Sequence, residues 1–139
     1  MIRVVVGLLA DSAGNILIAQ RRAGTHMAGR WEFPGGTRHA GESAMQALQR
    51  ELREELAVEV DAAEPLIVLE HEYPDRHVEL DTWLVTAWRG RPQSCEGQQL
   101  RWVAPGALAA ADLLEADAPI IDALLDRAGT INTRAISSS

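Results

Sequence analysis

Three glutamates on one predicted helix limit most strongly what this chain can become. Ser43 opens the helix, and Gln46 three residues later completes the pattern of a capping box. Glu51, Glu54 and Glu55 follow at offsets of three and four residues, which bring their carboxylates to contact distance on one face. Because this repulsion is unfavourable without cations, the cluster predicts binding of divalent metal ions.

The same helix carries an apolar stripe, formed by Met45, Leu48, Leu52 and Leu56. At about 100° per residue, the stripe and the glutamates occupy neighbouring arcs of the helix. We therefore expect one arc to pack into the core and the other to face a cleft. A charged helix face that is merely solvated would carry lysines four residues away from the glutamates, and the sequence has none there.

Strand patterns surround this helix. Strands are predicted at residues 4–9, 16–18, 31–33, 66–71, 78–88 and 100–103. The turn-rich residues 11–15 predict a hairpin between the first two, and residues 34–36 are expected to end the third. Pro119 begins a second helix, with Ile120, Ile121, Leu124 and Leu125 expected on its inner face. Clustered strands favour an α+β fold or a sandwich over a doubly wound sheet. Trp31, Trp83, Trp88 and Trp102 are expected in the core or on a sheet face.

Composition excludes several classes of protein. A chain of 139 residues forms one domain, predicted at residues 1–129, with a polar and flexible tail at 130–139. The net charge of -7 disfavours a nucleic acid as partner, because phosphate neutralisation needs a basic surface. No apolar run is long enough to span a membrane, and no signal-peptide pattern is present. The single Cys95 forms no internal disulfide, which predicts a cytoplasmic location.

The glutamate cluster also indicates a reaction. Carboxylates without nearby His or Cys select hard cations such as Mg²⁺ or Mn²⁺. Such ions typically bridge protein carboxylates to substrate phosphates, and two of them can activate water and stabilise the leaving phosphate. The residues alone therefore predict metal-assisted hydrolysis of a phosphate ester or anhydride.

Residues 36–58 resemble the Nudix box, whose pattern is Gly-x5-Glu-x7-Arg-Glu-apolar-x-Glu-Glu-x-Gly-apolar. The glycine Gly36, the loop carboxylate Glu42 and the helical run from Arg50 all match. The final glycine is replaced by Ala57, where a left-handed helix terminus would cost about 1 kcal/mol relative to Gly. Residues 20–22, 26–28, 31–36, 72–77 and 96–98 resemble the MutT branch of the same family.

The resemblance implies an α/β/α sandwich with a mixed sheet and a Mg²⁺-dependent hydrolase, with Mn²⁺ as a possible substitute. Water would attack the β-phosphorus of a nucleoside triphosphate, in the first place 8-oxo-dGTP, giving the monophosphate and pyrophosphate. The implied metal ligands are the Gly35 carbonyl and the carboxylates of Glu51, Glu54, Glu55 and Glu96. Glu51 would also be the general base, oriented by Arg50. Glu42 would order the loop through Arg50 or through an outer-shell contact. The implied substrate contacts are Arg21, His26, Glu32, Phe33, Pro34, Gly35, Arg76 and Asp117. Arg53 is expected to be an intrahelical salt-bridge partner.

Asp117 leaves the substrate open. Two residues before Pro119, it is placed to cap the second helix, but the resemblance also implies a contact to the base. A carboxylate only accepts hydrogen bonds, so it suits both the N7 proton of oxidised guanine and the amine of cytosine. The alternatives are a pyrophosphohydrolase of CTP, dCTP or 5-methyl-dCTP, and a module that binds nucleotide or damaged base without hydrolysis. The sequence leaves open a monomer or a homodimer.

Overall fold

The computed structural model describes residues 1–137, and only the backbone of residues 128–137. In this part, the strands are β1 Ile2–Leu9, β2 Ile16–Gln20, β3 Trp31–Glu32, β4 Gly35–Thr37, β5 Glu59–Tyr73, β6 Arg76–Arg89 and β7 Leu100–Val103. The helices are α1 Ala44–Leu56 and α2 Ala118–Ser137, and 3-10 turns occur at Pro105–Ala110 and Glu115–Asp117. The predicted tail thus covers the end of α2 and two residues outside the described part, and its flexibility stays a prediction.

The strands form two sheets. A four-stranded mixed sheet has the order β4-β1-β6-β5, in which β1 and β6 are parallel and the other pairs are antiparallel. An antiparallel sheet of three strands has the order β3-β2-β7. The sheets meet along β1 and β2, whose central residues are buried.

The two helices cover opposite faces of the sheets. Along β1, Val5 and Leu9 pack in the core cluster that contains Leu48, Leu52 and Leu56 of α1. The alternate residues Val6 and Leu8 pack in the cluster that contains Ile120, Ile121 and Leu124 of α2. Each of the buried leucines contributes about 1.5–3 kcal/mol through removal from water. The predicted α+β fold, an α/β/α sandwich with a mixed sheet, is confirmed.

The predicted hairpin between the first two strands is only partly right. The turn itself forms, since the Asp11 N–H donates to the Asn15 carbonyl at 2.9 Å. Beyond the bridge between Ala10 and Ile16, however, β1 and β2 belong to different sheets. The reason is that β1 pairs with β4 on one edge and β6 on the other, which leaves β2 to pair with β3 and β7.

The predicted chain break at residues 34–36 is only partly right. Strand β3 ends before Pro34, but Gly35–Thr37 continues as β4 and pairs with β1. A Cβ on Gly35 would lie 2.0 Å from the Val5 carbonyl oxygen, so glycine is what permits this close pairing. The glycines therefore start a strand instead of ending one.

Three other expectations need correction. Strand β5 begins at Glu59, earlier than predicted, and follows β6 through several bulges. Leu125 is 41% exposed, because Ile121 and Leu124 already occupy the inner arc of α2. Arg53 pairs with Glu59 of β5 at 2.8 Å and not within its own helix. Of the tryptophans, Trp31 lies in the core and Trp102 is 39% exposed on β7.

Candidate active site

Both ends of α1 are fixed locally. Ser43 Oγ accepts from the Gln46 N–H at 3.1 Å, and Gln46 Oε1 accepts from the Ser43 N–H at 2.9 Å, which confirms the capping box. At the other end, Ala57 adopts the left-handed conformation with φ of 59°, as expected for the position that is glycine in the motif. The helix that carries the glutamates therefore begins and ends where the sequence predicts.

Arg50 is the centre of an ion-pair network that joins the helix to the preceding loop. Its guanidinium donates to Glu42 at 2.7 Å, to Glu51 at 2.9 Å and to Glu54 at 3.3 Å. It also donates to the Thr37 carbonyl at 3.0 Å. The hydrogen bonds from Arg50 lower the pKa of Glu42 to about 2. Glu42 thus orders the loop through Arg50, as predicted.

Glu55 is the buried carboxylate of the cluster. It is 8% exposed, and Oε2 accepts a hydrogen bond from the Gly35 N–H at 3.2 Å. Burial raises the pKa of Glu55 to about 8, with further contributions from the charges of Glu32, Glu96 and Glu51. A carboxylate in this environment is stabilised in its charged form by a cation.

The loop that carries Glu96 docks on the end of α1. The Gln93 N–H donates to the Leu56 carbonyl at 2.9 Å, and the Cys95 N–H donates to the Glu55 carbonyl at 3.1 Å. These carbonyls belong to the last turn of the helix and have no partner within it. The Arg22 guanidinium donates to the Glu96 carbonyl at 2.8 Å. Glu96 is thereby held near Glu55, although the two residues are far apart in the sequence.

Two adjoining cavities form a cleft beside the cluster. The acidic cavity measures about 120 Å³, and its lining includes Arg21, Arg22, Glu32, Glu55, Glu96 and Gln98. The apolar cavity measures about 280 Å³, and its lining includes Val4, Val6, Phe33, Tyr73, Leu80 and Asp117. Arg21 and Glu32 line both cavities. An acidic cavity thus adjoins an apolar one.

Arg21 and Glu32 form an ion pair of 2.9 Å at the junction. Burial raises the pKa of Glu32, while the charge of Arg21 opposes the shift. Arg21 also donates to the His26 carbonyl, which closes the loop between β2 and β3. The His26 ring is exposed and meets Tyr73 edge to face at 6.2 Å, and the Arg76 guanidinium lies 5.4 Å from the centre of the Tyr73 ring.

Asp117 lines the apolar cavity. It is 6% exposed, and the nearby Phe33 backbone N–H acts to lower its pKa. Within the part of the chain that the structure describes, its Oδ2 is buried without a hydrogen-bond partner. Burial raises the pKa of Asp117 to about 7, and the charge of Glu32 adds to this shift. Such an orphan acceptor in a cavity is a candidate contact for a ligand donor.

The structure brings together most, not all, of the predicted site residues. Arg76, Gly35 and Phe33 line the apolar cavity. Pro34 is buried, and its carbonyl accepts from the Gly7 N–H at 2.9 Å, while neither Pro34 nor His26 lines the cleft described above. The Glu54 side chain is 56% exposed on the outer side of Arg50. Among residues 1–137, no three acidic, His or Cys side chains converge closely enough to hold an ion without rotating.

Residues outside the predicted set also line the cleft, among them Arg22, Tyr73 and Gln98. Each of the three lies within three residues of a predicted site residue, in the segments that resemble the MutT branch. This closeness in sequence is the feature that indicates their place in the site. Their side-chain directions depend on contacts between distant segments.

Comparison with known proteins decides the family. The family model of the NUDIX domain matches residues 5–123, which is most of the chain. The chain belongs to the Nudix family. Nudix enzymes act on nucleotide substrates and generally use a divalent metal ion.

Similar Nudix proteins agree in both sequence and fold. The chain is 39% identical over 120 residues to the 8-oxo-dGTP diphosphatase of Escherichia coli, covering 86% of this chain and 93% of the relative. It is also 39% identical over 125 residues to the CTP pyrophosphohydrolase of Escherichia coli, covering 90% and 92%. A solved structure of MutT, described for Aliivibrio salmonicida and Vibrio cholerae, superposes with a TM-score of 0.78 at 35% identity, covering 91% and 98%.

In the described part of this Nudix hydrolase, neither helix is sufficiently long and apolar to cross a membrane.

Proposed function

We propose that this chain is a Mg²⁺-dependent nucleoside triphosphate pyrophosphohydrolase of MutT type that hydrolyses 8-oxo-dGTP to the monophosphate and pyrophosphate. The observation that carries the proposal is the cleft itself. Its acidic cavity, with Glu55 and Glu96, suits a metal-bound polyphosphate, and its apolar cavity is lined by Asp117, one carboxylate oxygen of which is unpartnered in the described part of the chain. This enzyme would remove an oxidised nucleotide from the pool that supplies DNA replication, which is a form of DNA repair by prevention.

The donor set fits a hard divalent cation. The proposed ligands are the Gly35 carbonyl and the carboxylates of Glu51, Glu54, Glu55 and Glu96, which are all oxygen donors of the kind that Mg²⁺ and Mn²⁺ prefer. The buried charge of Glu55 supports the assignment, because a cation would offset its cost. The exposed side chains of Glu54 and Glu96 have room to rotate towards an ion.

The chain's own residues supply proton transfer and orientation. Bound divalent ions would neutralise the polyphosphate and lower the pKa of the attacking water. Glu51 takes the proton of that water, and Arg50, at 2.9 Å, orients the Glu51 carboxylate. An oxygen–phosphorus bond forms at the β-phosphorus as the bond to the bridging α,β-oxygen breaks, and the nucleoside monophosphate leaves. Glu54 is proposed as a catalytic ligand beside them.

The remaining predicted residues would bind the nucleotide. Arg21, Arg76 and His26 are proposed to meet the phosphates or the sugar, and Glu32, Phe33, Pro34 and Gly35 to form the nucleoside site. In the apolar cavity, Asp117 Oδ2 would accept a hydrogen bond from the base. Oxidised guanine offers the N7 proton there, and the relative named 8-oxo-dGTP diphosphatase supports that assignment.

A second candidate function is the hydrolysis of CTP, dCTP or 5-methyl-dCTP. Asp117 favours it, because a carboxylate also accepts from the exocyclic amine of cytosine, and a relative of equal identity is named CTP pyrophosphohydrolase. A module that binds without hydrolysis is disfavoured, since the glutamates of the Nudix box are all present.

Organisation and location are proposed from the same properties. We propose a single Nudix domain at residues 1–129, which includes the range 5–123 that the family model matches. We propose a cytoplasmic location, because the single Cys95 suits a reducing compartment. Both a monomer and a homodimer are compatible with the cleft.

One assay tests the proposal. The purified protein is incubated with Mg²⁺ and 8-oxo-dGTP, dGTP, CTP, 5-methyl-dCTP or a nucleotide sugar, and monophosphate and pyrophosphate are measured. We expect the highest kcat/KM with 8-oxo-dGTP. Preference for a cytidine compound would promote the second candidate, and absence of turnover with every triphosphate would refute both. Hydrolysis in ¹⁸O-labelled water identifies the attacked phosphorus, because the label enters pyrophosphate only after attack on the β-phosphorus.

A further inference from the structure

Gln98 is a buried amide beside the acidic cavity, and the proposed reaction gives it no role. The residue is 8% exposed. Its Nε2 lies 3.5 Å from Glu55 Oε1, and its Oε1 lies 3.2 Å from Ser94 Oγ. A buried amide needs partners for its polar atoms, and here one partner is a proposed metal ligand. Gln98 therefore connects the Glu96 loop to the carboxylate of Glu55.

The backbone of the same loop also forms a hydrogen bond with Glu55. The Glu55 carbonyl accepts from the Cys95 N–H at 3.1 Å, and its carboxylate faces Gln98, so one helical residue meets the loop on both sides of Glu96. The single Ser94 hydroxyl proton is shared between the Gln98 backbone carbonyl and the Gln98 side-chain Oε1, which closes the loop on itself. The position of Glu96 relative to Glu55 consequently depends on this set of contacts.

The Glu55 carboxylate is held by donors from two separate segments. The Gly35 N–H meets Oε2 at 3.2 Å, and the Gln98 amide faces Oε1 at 3.5 Å. The distance between Gln98 Nε2 and Glu55 Oε1 is long for a hydrogen bond, so this contact is weak. The main effect of Gln98 is to restrict the direction in which the Glu55 carboxylate points. Because each carboxylate oxygen has two lone pairs, one remains on each oxygen for a cation.

We propose that Gln98 is a positioning residue of the metal site, which holds the Glu55 carboxylate and the Glu96 loop in the arrangement that binds a divalent cation. This inference rests on the metal site of the proposed function. Hydrogen-bond partners behind metal ligands typically contribute about 10- to 100-fold to metal affinity. The same range is expected for Gln98.

Calorimetric titration with Mn²⁺ tests this role without any turnover. Gln98→Met keeps the length of the side chain and removes the amide. The control Gln99→Met makes the same change at the exposed neighbouring residue. We expect Mn²⁺ affinity to fall about 10- to 100-fold in Gln98→Met and to stay near the wild-type value in Gln99→Met. Equal affinities of the two variants would overturn the positioning role.

A second variant is used if Gln98→Met does not fold. Such a failure is recognised when the metal-free variant shows no cooperative unfolding transition. Ser94→Ala removes the hydroxyl that faces the Gln98 amide, and we expect Mn²⁺ affinity to fall about fivefold, as for the loss of one hydrogen bond. Wild-type affinity in Ser94→Ala would then overturn the inference. If the wild-type protein binds no Mn²⁺, the metal site itself is contradicted. If the wild-type protein binds Mn²⁺ and the variants bind it equally well, only the role of Gln98 is contradicted.

Discussion

Gly36 leaves the space in which the Glu51 carboxylate lies. A Cβ at position 36 would stand 2.3 Å from Glu51 Oε2 and 2.4 Å from its carboxyl carbon. The first glycine of the Nudix box is thus explained by a side-chain contact. It keeps the loop strand β4 close to the proposed general base.

Gly36→Ala is therefore expected to reduce catalysis without unfolding the protein. The methyl group displaces the flexible end of Glu51 and no backbone, so stability should change little, while kcat should fall about 100-fold through misplacement of the base. Steady-state kinetics and thermal unfolding measure the two effects. Gly106→Ala is the matched control, because a Cβ there meets no atom within 4 Å. Wild-type kcat in Gly36→Ala would contradict the assignment of Glu51 as base.

Asp117→Asn is expected to change selectivity. Asparagine is similar in shape to aspartate, but its side chain can donate a hydrogen bond as well as accept one. The variant therefore no longer requires a hydrogen-bond donor on the base. We expect the ratio of kcat/KM for 8-oxo-dGTP to that for CTP to rise about tenfold or more, because one good polar contact is worth roughly 1.5 kcal/mol. Competition assays with both nucleotides measure this ratio directly. An unchanged ratio would mean that Asp117 only supports the start of α2.

The pH dependence of stability gives an independent test of the Asp117 environment. Burial raises the folded-state pKa of Asp117 from 3.8 to about 7, so the folded state holds a proton that the unfolded state has released. The stabilising contribution is complete below about pH 4, declines as the pH rises and is lost above about pH 7. We expect Asp117→Asn to become progressively more stable relative to wild type from pH 4 to pH 7, by at most about 1.4 kcal/mol per pH unit.

Urea unfolding in the presence of a metal chelator measures this difference at each pH. Glu55, whose pKa is also raised, is common to both proteins and cancels in the comparison. Parallel stability profiles of the two proteins would show that the Asp117 carboxylate is charged in the fold and stabilised by partners other than those described.

Ala57→Gly is expected to stabilise the protein. Ala57 has φ of 59° and ψ of 33°, a conformation that glycine adopts without steric cost, so unfolding free energy should rise by about 1 kcal/mol. Chemical denaturation checks the value. Ala44→Gly, at the right-handed start of the same helix, is the control and should lower stability by about 0.5–1 kcal/mol. A loss of stability in Ala57→Gly would contradict a left-handed Ala57.

Local interactions explain why much of α1 is predictable. The capping box joins Ser43 and Gln46, and the apolar stripe follows the period of the helix, so both are written in neighbouring residues. The spacing of the Nudix box identifies the reaction class for the same reason. Strand β7 and the β5–β6 hairpin turn also follow from local apolar runs and turn residues.

Contacts across the chain decided what the sequence left open. The strand β1 uses both its edges for β4 and β6, which separates it from β2 and limits the predicted hairpin to its turn and one bridge. The proximity of Phe33 to Asp117 and the approach of Gln98 to Glu55 bring together residues that no local pattern relates. The sequence by itself determined the helix, its glutamates and the hydrolytic chemistry, because these depend on short spacings. Only the tertiary structure decided which side chains share the cleft, because burial and direction arise when distant segments pack together.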